Sequence, residues 1–390
     1  MKLAWRHYRF PAGLGIARGY LSAAFNLYDA LRRRVGPALR DAGAAGSDPR
    51  AHLHFCPPHW FAPVPGKINV LFTMWEAPVI PPALLDPISR ADRLVVPSTY
   101  CAEVWRAHGL EAQVVPLGVH ESFLSTDYSR RTIAMAAGTG PRRRFLWVGS
   151  PIERKGWDRL APAWARAFEG AVDPPQLYVK TIATDPADRI VRGMNGQDHV
   201  LVDGRDLEPA DMLALYASAD VFVSTSYGEG FGLPALEAMA AGCLVVSPLT
   251  GGHADFLDDS HGIVVPTRDV VSIRYGDAAY RLEVASIADL ADSLRTARAG
   301  FGSPDLEARR LMGVHRARSM TWGASAEGLL RAIEAAAGQD VPRGTFPGAE
   351  PTEALGAPRD AQNGPAGIHP WHPAGAHASE APGGPAGQPN

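Results

Sequence analysis

The sequence predicts an α/β protein built of two doubly wound, Rossmann-like domains facing each other across a cleft, followed by a disordered C-terminal tail. Three observations lead there. Short apolar runs of strand length alternate with amphipathic runs of helix length, in two separate series. A polar, Arg-rich passage around residues 125 to 144 divides the two series. Residues 341 to 390 carry 10 prolines and 9 glycines with few large apolar side chains, too little to offset the entropy of ordering.

In chain order, KLAWRH, AHLHF, INVLF, RLVVPS and AQVVPLGV read as strands, and AFNLYDALRRR, ALLDPISRA and TYCAEVWRAHG as the helices between them. The second series runs RFLWVGS, QLYVKTI, HVLVDG, VFVSTS, LVVSP and GIVVP, interleaved with WDRLAPAWARAF, MLALYASA and ASIADLADSLRTAR. These bounds give a first domain over 1–140, a second over 141–320, a helix over 321–340 packing back toward the first domain, and the tail over 341–390. Ligands are expected at the carboxyl ends of the strands, in the cleft between the halves.

Composition narrows the chemistry. The chain has 390 residues, 46% of them hydrophobic, and a net charge of -3 from 38 basic and 41 acidic residues, so no global field favours nucleic acid. Cys56, Cys101 and Cys243 are odd in number and widely spaced, which fits neither a disulfide framework nor a zinc site. MKLAWRHYRF lacks the apolar core of a signal peptide, and no run reaches a membrane span, so a cytoplasmic protein is expected. The runs LRRRVGPALR and PRRRF leave room for peripheral contact with the inner face of the membrane. His369, His372 and His377 lie in the tail without metal-ligand spacing, and no metal site is expected.

One stretch concentrates chemistry. In EGFGLPALEAMAAG, residues 229 to 242, two glutamates flank glycines and a proline at the mouth of a helix expected from about Leu233 to Ala241, with Gly242 as its stop. Gly228, Gly230 and Gly232 let the backbone approach a ligand, and the free N–H groups of the first turn suit an anion such as phosphate. Carboxylates beside a phosphate need another duty, and accepting hydrogen bonds from sugar hydroxyls is one. A ligand that is part anion and part polyol is a nucleotide-sugar. The plainer alternative is a helix dipole stabilised by Glu229 and Glu237 behind ordinary turn glycines.

The wider stretch LYASADVFVSTSYGEGFGLPALEAMAAG resembles the donor-site signature of the GT-B glycosyltransferases related to family 4, a glutamate, seven residues and a second glutamate. FLWVGSPIERKGWDRLAPAWARAF resembles the opening strand, lysine loop and helix of that family's C-terminal domain. ADRLVVPSTYCAEVWRAHGLEAQVVPLGVH resembles the end of its N-terminal domain, and the likeness spans roughly 67 to 260. TMWEAPVIPPALLDPISRADRLVVPS is similar to a bacterial branch with an acidic residue after an aromatic. The resemblance implies that Glu237 holds the donor ribose, Glu229 faces the transferred sugar, and Lys155 pairs with the diphosphate. It implies backbone amides of Gly230, Phe231, Gly232 and Leu233 on the sugar and distal phosphate, and Gly13 and Gly15 of PAGLGIARG near the phosphates. It implies a retaining transferase with no metal or other cofactor, acting on a UDP- or GDP-sugar and a glycan, lipid, protein or small-molecule acceptor.

Departures from the pattern are Ser150, where arginine is common, Gly118-Val119-His120 for Gly-Val-Asp, and Leu244 for proline. Arg154 stands ready to replace the missing arginine, since a guanidinium grips phosphate bidentately. Lys180 ends a strand facing the cleft and is a further donor contact. Glu76 is either a positioning group or a structural carboxylate, and His7, His52, His54, His59 and His120 are candidate acceptor-side bases. GLGIARG has its third glycine misplaced for a dinucleotide fingerprint. The rival functions are another GT-B enzyme, a nucleotide-sugar epimerase or sugar phosphorylase, and a non-catalytic nucleotide-sugar binder.

Overall fold

The computed structural model describes residues 1–7, 18–42, 48–125, 143–182, 199–275 and 278–338. The glycine-rich loop with Gly13 and Gly15 and the Pro/Gly-rich tail lie outside them.

The first half contributes strands β1 (Leu3–His7), β2 (Leu39–Asp41), β3 (Ala51–Phe55), β4 (Ile68–Phe72), β5 (Arg93–Val96) and β6 (Ala112–Val114). They form one six-stranded sheet in the order β2-β1-β3-β4-β5-β6, every pairing parallel. Helices α1 (Arg18–Val35), α2 (Pro82–Ser89), α3 (Thr99–Ala107) and α4 (Ser122–Ser125) supply crossovers and the exit. The second half contributes β7 (Arg144–Val148), β8 (Gln176–Lys180), β9 (Val200–Asp203), β10 (Val221–Val223), β11 (Leu244–Ser247) and β12 (Ile263–Val264), in the order β12-β11-β10-β7-β8-β9, again parallel. Its helices are α5 (Trp157–Phe168), α6 (Pro209–Ser218), α7 (Leu233–Ala240), α8 (Ile287–Gly300) and α9 (Pro304–Ser319).

Parallel sheets are covered on both faces, which is why these strands read as unbroken apolar runs: Phe145, Leu146, Val221, Val223, Leu244 and Val246 are all almost wholly buried. The crossovers that this pairing requires are the amphipathic segments of the sequence. In α5 the buried face is Leu160, Ala163, Trp164 and Phe168, packed with Phe145 in edge-to-face contacts.

Two parts of the sheet structure were not foreseen. β2 is three residues of mixed polarity after Pro37, too short and polar to signal a strand. The larger miss is an antiparallel hairpin, β13 (Thr267–Tyr275) with β14 (Ala278–Ala285), inserted between β12 and α8. Its inner face packs Ile273, Leu282 and Val284 around Tyr227, while Tyr280 is buried among Cys56, Phe61, Trp75 and Ile80 of the first domain.

The last described helix, α10 (Trp322–Ala337), is capped by the Thr321 hydroxyl and stopped by left-handed Gly338. It lies against α1, β4 and β5 of the first sheet. The chain therefore crosses between the halves a second time, and the two crossings touch: Val119 bridges Thr321, and a Cβ on Gly118 would sit 2.2 Å from the Thr321 carbonyl carbon.

The arginines at the end of α1 are engaged internally. Arg32 donates to Gly36 and Leu39 carbonyls, Arg33 pairs with Asp29 and Glu121, and Arg34 with Glu327 of α10. No described helix is long and apolar enough to cross a membrane. Cys56, Cys101 and Cys243 are buried free thiols.

Candidate active site

In an open parallel sheet the crevice for a ligand opens where neighbouring strands send their connections to opposite faces. In the second sheet that point lies between β7 and β10, so the loops after these strands, one with Lys155 and one with Glu229, flank it by topology alone.

The two loops are laced together. Thr225 Oγ1 donates to the Lys155 carbonyl at 2.9 Å and accepts from Trp147 Nε1 at 3.0 Å, and Tyr227 N donates to the Arg154 carbonyl at 2.7 Å. Gly156 has φ +64°, and a Cβ there would stand 1.9 Å from the Thr225 carbonyl oxygen, so only glycine permits the approach. The loop after β10 then turns through Gly232, left-handed at φ +99°, into α7 with Pro234 in its first turn. The helix ends at Ala240, one residue before the sequence bound, because Ala241 is already the C-cap, its amide bonded to the Glu237 carbonyl and that of Gly242 to the Met239 carbonyl.

Four charged groups meet here. Lys155 Nζ lies 2.5 Å from Glu229 Oε1, and Arg154 lies 3.5 Å from Glu229 Oε2 and 3.5 Å from Glu76 Oε1 of the first domain. Arg154 also donates to the Gly228 carbonyl. Burial pushes the Glu229 carboxyl up, but the Lys155 ammonium and Arg154 guanidinium outweigh it and hold the group at about 2. Burial in turn pulls Lys155 below its ordinary value, with Glu229 opposing. Glu229 is thus ionised at neutral pH.

The first domain covers this loop. Ser98 Oγ donates to the Gly230 carbonyl at 2.6 Å and Cys101 Sγ reaches it at 3.2 Å, while a Cβ on Gly228 would stand 2.6 Å from the Glu76 carbonyl. Between Lys155, Ser224, Ser226, Glu229, Gly232, Pro234 and His253 remains a cavity with room for about one water. A larger cleft of ≈ 900 Å³ lies on the far side of the loop, between α3, the hairpin and residues 249–255. Neither Lys155 nor Glu229 lines it, so size is a poor guide to the chemistry here.

The remaining sequence candidates fall in different places. Glu237 is half-buried on α7, beside the Tyr216 hydroxyl rather than the Lys155 pair, and burial lifts its carboxyl to about 7 against the Tyr216 hydrogen bond. Phe231 turns its ring into the core against Phe256, so only its backbone faces the loop. Leu233 is buried, and Ser150 is half-buried in the loop after β7. Lys180 spends its ammonium on the carbonyls of Thr181, Asp203 and Arg205 at 2.6, 3.3 and 2.6 Å, tying the ends of β8 and β9 together. Arg154 is likewise engaged between Glu76, Glu229 and Gly228. Of the histidines, His52 and His54 sit within β3, bonded to Arg6 and Asn69, and burial lowers both to about 4, which makes them poor bases at neutral pH. His120 is exposed and bonded to Ser122. Among the described residues no group of three or more His, Cys, Asp or Glu could hold a metal ion.

Sequence reasoning missed His253, in the 3-10 turn Gly251–Asp255 after β11. It is 1% exposed and lines the Lys155–Glu229 cavity. It lies eleven residues beyond the last glycine of the signature, and only the packing of its turn against Gly232 brings it there.

Comparison with known proteins bears on the fold and the family. Residues 142–281 match the family model described as glycosyl transferases group 1. Over 142 residues the chain is 31% identical to the MMP alpha-(1->4)-mannosyltransferase of Mycolicibacterium hassiacum, covering 36% of this chain and 32% of that protein. Over 60 residues it is 45% identical to the D-inositol 3-phosphate glycosyltransferase of Saccharomonospora viridis, covering 15% of this chain and 14% of that protein. The matched stretches span less than a third of these relatives. In structure the chain is similar to Anabaena HepE in complex with UDP and glucose, TM-score 0.64 at 13% identity, over 86% of this chain and all of that one. It is also similar to a glycosyltransferase from Rickettsia africae, TM-score 0.62 at 12% identity, over 86% of this chain and 98% of that one. The fold of the chain is GT-B, and residues 142–281 of its second half are similar to the group 1 glycosyl transferases.

Proposed function

We propose that the protein is a retaining, metal-independent transferase of the family 4 type, moving a sugar from a UDP- or GDP-sugar to the hydroxyl of a glycan, lipid, protein or small-molecule acceptor. The observation that carries the reading is the Lys155–Glu229 pair at the entrance to α7, on the switch point of the second sheet. In transfer, the bond from the anomeric carbon to the phosphate oxygen breaks and its electron pair leaves with the nucleoside diphosphate. The acceptor oxygen then bonds the same carbon and passes its proton to the oxygen of the departing diphosphate. Charge grows on the diphosphate, where Lys155 and the amides of Gly232 and Leu233 lower its energy, while Glu229 stands on the side of the cationic sugar. Glu237 serves the ribose, and at about 7 its carboxyl both donates and accepts toward a diol.

Glu229 occupies Lys155 in the structure as it stands, so it plays the part the diphosphate takes over. Binding exchanges one anion for another at the same ammonium and requires the first domain to lift from the loop. Closure then excludes water, against which an activated sugar is unstable.

The test is a panel of UDP- and GDP-sugars with and without acceptor mixtures, read by release of nucleoside diphosphate and by product mass. Acceptor-dependent release, lost in Glu229→Ala with the fold retained, is expected. Donor conversion without acceptor, or consumption of inorganic phosphate, would instead assign an epimerase or a phosphorylase. Sedimentation with anionic vesicles tests peripheral membrane contact, and pelleting no greater than that of a soluble control removes it.

A further inference from the structure

We infer that His253 is a proton-linked ligand of the donor diphosphate: it is neutral with a bare Nε2 in the ligand-free protein and takes up a proton there when the diphosphate binds. The inference rests on the reading of the α7 entrance as the diphosphate site.

The hydrogen bonds assign the tautomer. His253 Nδ1 lies 3.0 Å from Ser247 Oγ and 3.3 Å from the Pro248 carbonyl. Ser247 Oγ gives its own proton to that carbonyl at 2.8 Å, so it can only accept from the ring. Both neighbours of Nδ1 are therefore acceptors, Nδ1 carries the hydrogen, and Nε2 of the neutral ring carries a lone pair. The opposite edge of the ring lies on Gly232, where a Cβ would stand 2.1 Å from Cδ2 and 2.3 Å from Nε2. Gly232 is the N-cap of α7, so Nε2 is held at the mouth of the helix, inside the cavity that Lys155 and Glu229 line. No hydrogen bond from a described residue reaches Nε2.

A lone pair in that position repels a phosphate oxygen. A proton on Nε2 turns the contact into a charge-assisted hydrogen bond beside the helix amides. The charged groups facing the ring are Glu229, which favours the imidazolium, and Lys155, which opposes it; burial opposes it more strongly and keeps the ligand-free ring neutral. Asp255, on the same turn, accepts from the Thr99 amide, and Arg316 of α9 donates to the Asp255 carbonyl. Ser247 and Pro248 present only acceptors, and Gly232 of α7 is uncharged. A diphosphate adds negative charge to this set, and the ring answers with one proton.

The experiment is calorimetric titration of the full chain with UDP, GDP, ADP and thymidine diphosphate at pH 7.5, in two buffers of different ionisation enthalpy. It is run on the wild type and on His253→Gln, which keeps an N–H donor near the place of Nε2 but cannot titrate. The ligand's own protonation is common to both proteins, so the difference in proton uptake reports the histidine. Expected is uptake by the wild type approaching one proton more than the variant, and a wild-type affinity that weakens several-fold more than the variant's between pH 7 and 9. Binding with equal proton uptake in both proteins overturns the inference and leaves the diphosphate site standing. Failure of every diphosphate to bind the folded wild type overturns both. Should the variant not fold, long-range proton–nitrogen NMR of the wild-type imidazole decides: Nε2 protonated only in the bound state supports the assignment, and an unchanged ring overturns it.

Discussion

Lys155 donates to the Glu229 carboxylate, which the proposed diphosphate would displace, so its removal is expected to act on both stability and rate. Lys155→Met is expected to lower kcat/KM by roughly 100- to 1,000-fold, the effect of losing one preorganised donor of about 2.7–4 kcal/mol. Steady-state release of nucleoside diphosphate measures it. Glu237 gives a pH signature of opposite kind. Its folded value of about 7 lies above the ordinary 4.5, so the native state holds the proton more tightly. The stability this confers is full below 4.5 and is lost as pH rises through 7. Melting curves of the wild type and Glu237→Gln should therefore diverge between pH 5 and 8, the wild type falling relative to the variant; parallel curves would show a carboxyl that titrates as if exposed. Glu229 and Glu237 could be singled out because the signature fixes their spacing on a turn and helix, and Lys155 because it stands in the short loop after an apolar strand. His253 and the Arg154–Glu76 contact were not, because no local pattern records which strand ends a fold brings together. Lys180 was misjudged in emphasis: strand position told that it faces the cleft end of the sheet, but not that three carbonyls wait there.

At the scale of elements, the α/β alternation was readable because buried parallel strands must be continuous apolar runs and their crossovers must be amphipathic. The hairpin was readable too, in the alternation of VVSIRY and AAYRLEV around Gly276-Asp277, but it interrupts the strand-helix rhythm on which the reading relied. It connects Tyr227, the residue before the Gly228 to Gly232 turn, to the first domain through Tyr280. Tyr227 itself is anchored by its hydroxyl on Asp158 at 2.7 Å. Tyr280→Ala is expected to cost about 3 kcal/mol, as for other buried aromatics, and to raise KM for donor while sparing the Lys155–Glu229 pair; chemical denaturation and donor kinetics measure the two effects. In the turn after β11, Gly251 has φ +65°, and a Cβ would stand 2.1 Å from the Glu229 carbonyl oxygen. Gly251→Ala is expected to destabilise by about 1–3 kcal/mol and to displace Glu229, which activity at unchanged melting temperature would contradict.

Across the whole molecule, the contacts between the halves gather on one side. Ser98, Thr99, Cys101 and Glu76 of the first half meet the loops after β7, β10 and β11 of the second, and Tyr280 of the hairpin packs on the first half. Arg154 joins Glu76 to Glu229, so the Glu229 carboxylate is wired to the other domain. Glu76→Gln removes one partner of a buried ion pair, a change that costs about 3–5 kcal/mol in well-buried cases, and here it weakens the arrangement in which the halves touch. A larger radius of gyration by small-angle scattering and more donor hydrolysis per transfer are expected; an unchanged scattering curve would show that the pair does not hold the halves together. The place where Gly118 lies against Thr321 sets what that motion can be. Two strings of chain touch at that one spot, backbone against backbone with no room for a side chain, so a change in how the halves sit would have to keep or break that contact.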